Sequence, residues 1–278
     1  MSGFSSFRTA APTELSNSGL VLLWGNSPNG WKPTYLLEAL RQDGAVPEYT
    51  VIQVDLLKGE QFQDWFIKVN PNSKMPALLH NREDGKKPLR VFESANILLY
   101  LADKFDKAYK YHFENEDLEV EMKSWVFWSQ ANLGPIQGQV NHFTRYAAVE
   151  PQTYSINRFN TECHRIYKVL EDHLAGKHDD EVKDWVVGGK LSLADMVIQP
   201  WVRCHFWGGI SLETYPSIQA WLNRVEALPV IQAALQVPVQ DLVTRVKSDP
   251  NFEKAIMERM KKDREEKEQA AAAKETKA

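Results

Sequence analysis

The chain has 278 residues, of which 43% are hydrophobic and 25% charged, and its formal net charge is -4. This length allows one or two domains, and the composition is typical of a soluble globular protein with a real core. The mildly acidic balance excludes the basic surface of a nucleic-acid-binding protein, and no apolar run has the length of a membrane span. The two cysteines make no disulfide framework and the polar N-terminal stretch lacks a signal-peptide core, which favours a reducing, cytoplasmic location.

The first third of the chain predicts alternating strands and helices after an arm at residues 1–18. Pro33 is expected in the first turn of the first helix, where a missing N–H is tolerated. The order β-α-β-α-β-β-α is that of a thioredoxin-like domain. The predicted strands and helices are, in chain order, Leu20–Trp24, Trp31–Gln42, Tyr49–Leu56, Gln61–Val69, Ala77–His80, Leu89–Phe92 and Ala95–Phe105.

From Asp117 onward strand signals disappear and long helical patterns take over. We therefore expect an α/β thioredoxin-like domain at 19–107, an all-helical domain at 115–240, and a charged helical or disordered tail at 241–278. Ser192 and Asp195 form a capping-box pattern, so Asp195 is interpreted as a structural residue. The helices are predicted at Leu118–Leu133, Thr153–Leu174, Leu193–Trp207 and Ile218–Ala227.

The most informative pattern is the segment Asn70–Pro76, followed at a short distance by Glu93 and Ser94. A rigid X-Pro bond at Pro76, in a cis or trans state, would hold the main chain of Met75 outward, where an extended peptide can pair with it. Ser94 can cap the next helix, whose free N–H groups favour a carboxylate, and Glu93 offers a partner to an amine. These features together indicate a site for a small charged peptide.

These residues resemble the glutathione site of the glutathione transferase family, in which the proline is cis and the Glu-Ser pair binds the γ-glutamyl end. The resemblance covers roughly residues 18–235 and is specific to the Nu class, which includes bacterial glutathione-dependent disulfide-bond oxidoreductases and a fungal nitrogen regulator. It implies the glutathione transferase fold, glutathione as cosubstrate, a homodimer and no metal. Other segments that carry it are Ser27–Gly30, Lys58–Phe62, Trp125–Trp128 and Leu133–Gln139.

The turn after the first strand, Asn26–Gly30, contains no cysteine, so the reactive sulfur must come from the ligand. The resemblance implies that the Ser27 hydroxyl and, more firmly, the Asn29 amide donate to the thiolate at this helix N-terminus. The alternative is that both are ordinary turn and cap residues. Cys163 and Cys204 fall in the helical part and are interpreted as packing residues.

The resemblance places Gln61 at the glycine end of glutathione, and Lys74 beside Met75 is a candidate partner for a carboxylate. A solvated surface lysine is the alternative for Lys74. The second substrate is expected against the helical domain, although aromatic residues at this spacing are more often core than pocket. The pocket candidates are Trp128, Asn132, Gln137 and His142.

The resemblance thus implies a glutathione S-transferase whose thiolate attacks an electrophilic or peroxide substrate, in detoxification or secondary metabolism. A glutathione-dependent disulfide-bond reductase would use the same site with a disulfide acceptor. A non-catalytic glutathione-binding regulatory protein is the third alternative; we expect such a regulator to carry a long Asn/Gln-rich arm, which residues 1–18 do not resemble.

Overall fold

A computed structural model describes residues 10–56, 58–147, 152–249, 251–259, 262 and 265. They form two compact units. The first contains the described parts of Met1–Gly25, Tyr49–Phe92 and Gln240–Ala278, and the second contains those of Asn26–Glu48 and Glu93–Val239. Within the described ranges, no helix is long and apolar enough to cross a membrane.

The order of elements β1-α1-β2-α2-β3-β4-α3, followed by helices alone, confirms the predicted fold class. The strands are β1 (Gly19–Trp24), β2 (Thr50–Gln53), β3 (Ala77–Asn81) and β4 (Leu89–Phe92). The helices are α1 (Pro28–Gln42), α2 (Asp64–Ile67), α3 (Ser94–Phe105), α4 (Glu116–Trp128), α5 (Gly134–Asn141), α6 (Thr153–Leu174), α7 (Leu193–Arg203), α8 (Pro216–Glu226), α9 (Pro229–Ala234) and α10 (Leu242–Ser248).

The first unit is built on a mixed sheet with the strand order β2-β1-β3-β4. β1 runs parallel to β2 and antiparallel to β3, and Leu22 lies opposite Leu78. β2 is shorter than the predicted Tyr49–Leu56, because the chain turns at Asp55, whose N–H donates to the Glu60 carboxylate at 2.8 Å. The core on this sheet consists of Val21, Leu23, Val54, Trp65, Phe66, Val69, Ala77 and Leu79.

In the second unit, α1 packs against α3, α7 and α9. The prediction that this helix begins at Trp31 was wrong by one turn, because Ser27 caps it upstream and α1 starts at Pro28. Pro33 therefore lies in the second turn of α1, not in the first. In the structure, α1 and α3 belong to the same compact unit as the later helices. The predicted domain limits of 19–107 and 115–240 therefore stay a prediction.

The predicted helix Leu118–Leu133 changes its winding before it ends. α4 stops at Trp128, and a π-helical segment at Ser129–Leu133 leads directly into α5. A second π-helical segment, His142–Tyr146, follows α5. Because a π-helical turn contains one extra residue, these segments shift which side chains face the neighbouring helices.

The capping box at the start of α7 confirms the structural interpretation of Asp195, which is fully buried. Its Oδ2 accepts from the N–H and the hydroxyl of Ser192, and its Oδ1 accepts from the Val186 N–H at 3.0 Å and the Trp221 indole at 2.8 Å. Burial raises the pKa of Asp195, and these four hydrogen bonds oppose that shift by stabilising the carboxylate. Asp195 therefore joins the start of α7 to α8 and to the preceding loop.

The predicted arm and tail are only partly covered by the described residues. Residues 1–9 lie outside them, whereas the side chain of Asn17 donates to the Thr50 hydroxyl at 3.0 Å, so the end of the arm is held against β2. In the tail, α10 buries Val243 and Val246, and residues 251–259 are helical. Apart from residues 262 and 265, the tail beyond 259 lies outside the described residues.

Candidate functional site

The loop that enters β3 carries the first group of candidate residues. The Met75–Pro76 peptide bond is cis, as the resemblance implies. Asn70 is buried and shapes the loop: its Nδ2 donates to the Lys74 carbonyl at 2.6 Å and its Oδ1 accepts from the Asn72 N–H at 2.9 Å. Within the described residues of the first unit, no group hydrogen-bonds to the main chain of Met75, which leaves its N–H and C=O able to pair with an extended peptide.

The side chain of Met75 packs over the end of β1. A Cβ at Gly25 would lie 2.9 Å from Met75 Cε and 3.1 Å from its Sδ, so a larger residue there would displace the end of the Met75 side chain. Gln61 is 8% exposed, and its Oε1 is buried with no hydrogen-bond partner among the described residues. A buried acceptor left unpaired costs about 1–3 kcal/mol, so this amide fits a ligand that supplies the missing donor. The Lys74 side chain is exposed.

The first turn of α1 holds the two candidate thiolate donors. The Ser27 hydroxyl oxygen accepts from the Gly30 N–H at 3.3 Å, so Ser27 is the helix cap that the alternative interpretation describes. A serine hydroxyl can donate as well as accept, so this cap bond does not exclude a role as a donor. Asn29 is the second residue of α1, and its Oδ1 accepts from the Trp201 indole N–H at 3.1 Å.

The start of α3 differs from the prediction. Ser94 does not cap this helix; it is the first helical residue, and Glu93 occupies the cap position without a side-chain bond to it. The reason is that Ser94 Oγ is engaged elsewhere, because it accepts from Lys32 Nζ at 3.3 Å and from Gln130 Nε2 at 3.2 Å. An amide NH2 can only donate, and so can Lys32 while it is charged, so the hydrogen of the Ser94 hydroxyl is then available to a further acceptor.

Lys32 is fully buried and completes a closed triangle with Ser94 and Gln130, since its Nζ also donates to Gln130 Oε1 at 2.5 Å. Burial lowers the pKa of Lys32 from 10.5 to about 7, and the charge of Glu93 opposes this shift. The triangle therefore places a group that titrates near neutral pH directly behind the Ser94 hydroxyl. Ser94 itself is 4% exposed.

Glu93 has an exposed side chain on a strained backbone. Its φ of 69° and ψ of 121° lie outside the regions that L residues usually adopt. The carbonyl of Glu93 accepts from the Ile97 N–H at 3.0 Å and so begins the hydrogen bonding of α3. Strain of this kind is typical of ligand-binding positions.

The pocket candidates occupy different environments. Gln137 is fully buried, and both ends of its amide are used in the core: it accepts from the Tyr167 hydroxyl at 3.0 Å and donates to the Trp201 carbonyl at 2.7 Å. Packing therefore explains Gln137 without a substrate. Asn132 donates to the Trp128 carbonyl at 3.2 Å, one turn earlier, and both side chains are half-buried. His142, in the second π-helical segment, is exposed.

Sequence reasoning missed three residues at these sites: Lys32, Gln130 and Trp201. Lys32 had a readable signal, because it falls one helical turn before Tyr35 and Leu36 on the apolar face of α1. Gln130 had none, since its direction depends on the π-helical segment that contains it. Trp201 was indicated only indirectly, by glycines in α5 that leave room for a large neighbour.

Comparison with known proteins identifies the family of this chain. The Glutathione S-transferase, N-terminal domain model matches residues 20–103, and the Glutathione S-transferase, C-terminal domain model matches residues 148–229. Disulfide-bond oxidoreductase YfcG of Escherichia coli is 36% identical to this chain over 77% of the chain and 93% of its own length. Protein URE2 of Candida glabrata is 27% identical over 76% of this chain and 65% of its own length.

Among solved structures, a glutathione transferase homolog from Lodderomyces elongisporus with two GSH per subunit is similar to this chain. It is 32% identical, with a TM-score of 0.72, and the match covers 80% of this chain and 100% of the homolog. The similarity therefore extends through both the sheet-containing and the helical parts of the sequence.

Proposed function

Because this chain belongs to the glutathione S-transferase family, we propose that it is a glutathione-dependent enzyme in which the thiol of glutathione carries the reaction. The chain has only two cysteines, Cys163 and Cys204, and both are buried. Burial raises the pKa of Cys163 to about 12, which keeps that thiol protonated at neutral pH. Neither cysteine lies in the turn that precedes α1, so the reactive sulfur is assigned to the ligand.

The observation that carries the proposal is the Ser94 hydroxyl. Lys32 and Gln130 both donate to its oxygen, so its hydrogen is left for an anion, and the first N–H groups of α3 favour the same charge. In glutathione, the free α-carboxylate of the γ-glutamyl residue matches this chemistry. Glu93 would accept a hydrogen bond from the amine of that residue.

The cysteinyl and glycine parts of glutathione are assigned to residues of the first unit. We assign the cysteinyl main chain of glutathione to the N–H and C=O of Met75, beside Pro76. At its glycine end, the amide N–H is assigned to Gln61, whose buried Oε1 needs a donor, and the terminal carboxylate to the exposed ammonium of Lys74. We keep Trp128, Asn132 and His142 as candidates for the second-substrate pocket, and Gln137 as a residue that supports it.

At the first turn of α1, the Asn29 amide and the Ser27 hydroxyl would donate to the sulfur of glutathione. Donors fixed in place before the reaction, together with the positive end of the helix dipole, lower the pKa of a thiol and stabilise the thiolate. Bound glutathione supplies the nucleophile for an electrophilic carbon or a peroxide. The chain's own residues bind it, orient it and hold its charge.

A second candidate function is reduction of a disulfide, and the name of the YfcG relative favours it. In this reaction two glutathione thiols are oxidised to glutathione disulfide, and the substrate disulfide takes up the two electrons and two protons to become two thiols. No cysteine of the protein is required, which fits the burial of Cys163 and Cys204. The two GSH per subunit of the Lodderomyces elongisporus homolog are consistent with a site that accepts two thiols.

A panel of glutathione-dependent assays with an aryl halide, a hydroperoxide and a mixed disulfide separates these functions. Calorimetry with glutathione tests the site: Glu93→Ala should weaken binding by about 2–3 kcal/mol, the size of a lost charge-assisted hydrogen bond. Glu114→Ala, which removes another exposed carboxylate, is the matched control. Unchanged affinity in Glu93→Ala would contradict the placement, and binding without turnover on any substrate would favour the non-catalytic regulator.

We also propose a cytoplasmic homodimer, since two-fold pairing is the commonest assembly of such proteins. Sedimentation at micromolar concentration should give about twice the mass of the chain. A mass near that of the monomer would contradict the dimer.

A further inference from the structure

The amide of Asn29 is held in one orientation by Trp201. The indole Nε1 of Trp201, in α7, donates to Asn29 Oδ1 at 3.1 Å. An indole N–H cannot accept a hydrogen bond, so the group that faces it must be the amide oxygen. The NH2 group of Asn29 consequently points away from Trp201, and within the described part of the second unit no acceptor pairs with it.

Two glycines of α5 give Trp201 the space for this contact. A Cβ at Gly134 would lie 3.0 Å from the Trp201 Nε1 and 3.2 Å from its Cε2, which is tighter than ordinary packing. At Gly138 the nearest indole atom would be 3.5 Å away, an ordinary contact distance. The indole therefore lies flush against α5 at Gly134 and less closely at Gly138.

The main chain of Trp201 is fixed as well. Its carbonyl accepts from Gln137 Nε2 at 2.7 Å, and the other end of that amide accepts from the Tyr167 hydroxyl at 3.0 Å. Tyr167 and Gln137 are both buried. A continuous series of hydrogen bonds thus runs from the α6 core through α5 and α7 to the first turn of α1.

We propose that Trp201 is a positioning residue that makes Asn29 a hydrogen-bond donor to the sulfur of glutathione. An asparagine amide that is free to turn can present either its oxygen or its NH2 group. The oxygen would repel a thiolate and the NH2 group would stabilise it, so the indole determines the sign of the interaction. This inference rests on the proposed function, because it assigns a role to Trp201 at the same thiol.

The direct test is Trp201→Phe, which keeps an aromatic ring but removes the N–H. It should lower kcat by about three- to tenfold, the effect of one hydrogen bond, and should shift the pH–rate profile and the thiolate absorbance of bound glutathione to higher pH. In the Asn29→Ala background the same change should have no further effect, because Trp201 acts through Asn29. Trp207→Phe, which removes the indole bond to the Tyr146 hydroxyl in the same unit, is the matched control and should leave the pH profile unchanged.

A second pair of variants covers the case in which Trp201→Phe does not fold. Gly134→Ala should displace the indole and reproduce the shift in the pH profile, whereas Gly138→Ala, with room for its methyl group, should not. An unshifted profile in folded Trp201→Phe or Gly134→Ala, or an equal loss of activity with and without Asn29, would overturn the inference. If glutathione neither binds nor reacts with the wild-type protein, the proposed function itself fails, which is a distinguishable result.

Discussion

Replacing Lys32 by methionine should make the stability of the protein less dependent on pH. Burial lowers the pKa of Lys32 from 10.5 to about 7 in the native state. Below about pH 7 both the native and the unfolded chain carry the charge, and the native state bears the full penalty of burying it. Above that pH the native state releases the proton while the unfolded chain keeps it, so the free energy of unfolding rises with pH up to the unfolded pKa.

The size of the effect follows from the number of protons released. A difference of one proton between the two states is worth about 1.4 kcal/mol per pH unit. Between pH 7 and about pH 8.5, native Lys32 goes from half to almost fully deprotonated, so the wild-type protein should gain about 1.6 kcal/mol. Thiols and phenols contribute with the opposite sign at higher pH, because burial raises the pKa of Cys163 and Tyr111.

Urea unfolding, followed by tryptophan fluorescence at several pH values in this window, measures the gain. Lys32→Met should lose it, since methionine does not titrate. Lys104→Met replaces an exposed lysine of α3 and should keep the wild-type dependence. If Lys32→Met gained stability with pH as steeply as the wild type, the native Lys32 would not titrate near pH 7 and the argument from burial would be refuted.

Three further predictions concern the rest of the chain. Asp195→Ala should destabilise the protein by about 3–5 kcal/mol in urea, because it leaves several buried donors unpaired; a loss below about 1 kcal/mol would contradict that role. The double change Cys163→Ala and Cys204→Ala should preserve glutathione-dependent turnover in the panel assays, and loss of activity in a folded double variant would assign the chemistry to a protein thiol. Deletion of 263–278 should leave the melting temperature nearly unchanged, whereas deletion of 241–278 should lower it by exposing the apolar residues that pack α10; equal melting temperatures would show that α10 adds no stability.

The limits of an element could be predicted correctly from the sequence where buried residues recur regularly along one of its faces. The helix predicted at Thr153–Leu174 has the observed limits of α6, because Cys163, Ile166 and Leu170 recur at helical spacing and are all buried. The strand Leu89–Phe92 was also predicted with its observed limits. The cis bond before Pro76 was implied only by the family resemblance, since nothing local distinguishes it from a trans bond.

The arrangement around Ser94 was not predictable, because it depends on long-range contacts. Ser94 satisfies the local pattern of a helix cap. In the structure, however, its hydroxyl accepts a hydrogen bond from Lys32, which lies 62 positions away in the chain. Gln130 reaches the same hydroxyl from a π-helical segment whose extra residue no sequence pattern reveals. The sequence thus indicated candidate residues one by one, whereas their hydrogen-bond partners had to be read from the structure.

At position 93, the stability of the fold and the binding of glutathione favour different residues. With a φ of 69°, this position would be occupied more comfortably by glycine, which has no Cβ, and Glu93→Gly should relieve strain of about 1–3 kcal/mol. A library of variants screened only for heat resistance should therefore enrich glycine here. The same library screened for growth or turnover that depends on glutathione should retain glutamate, so the two screens together would measure how much stability the chain gives up to keep one carboxylate at this place.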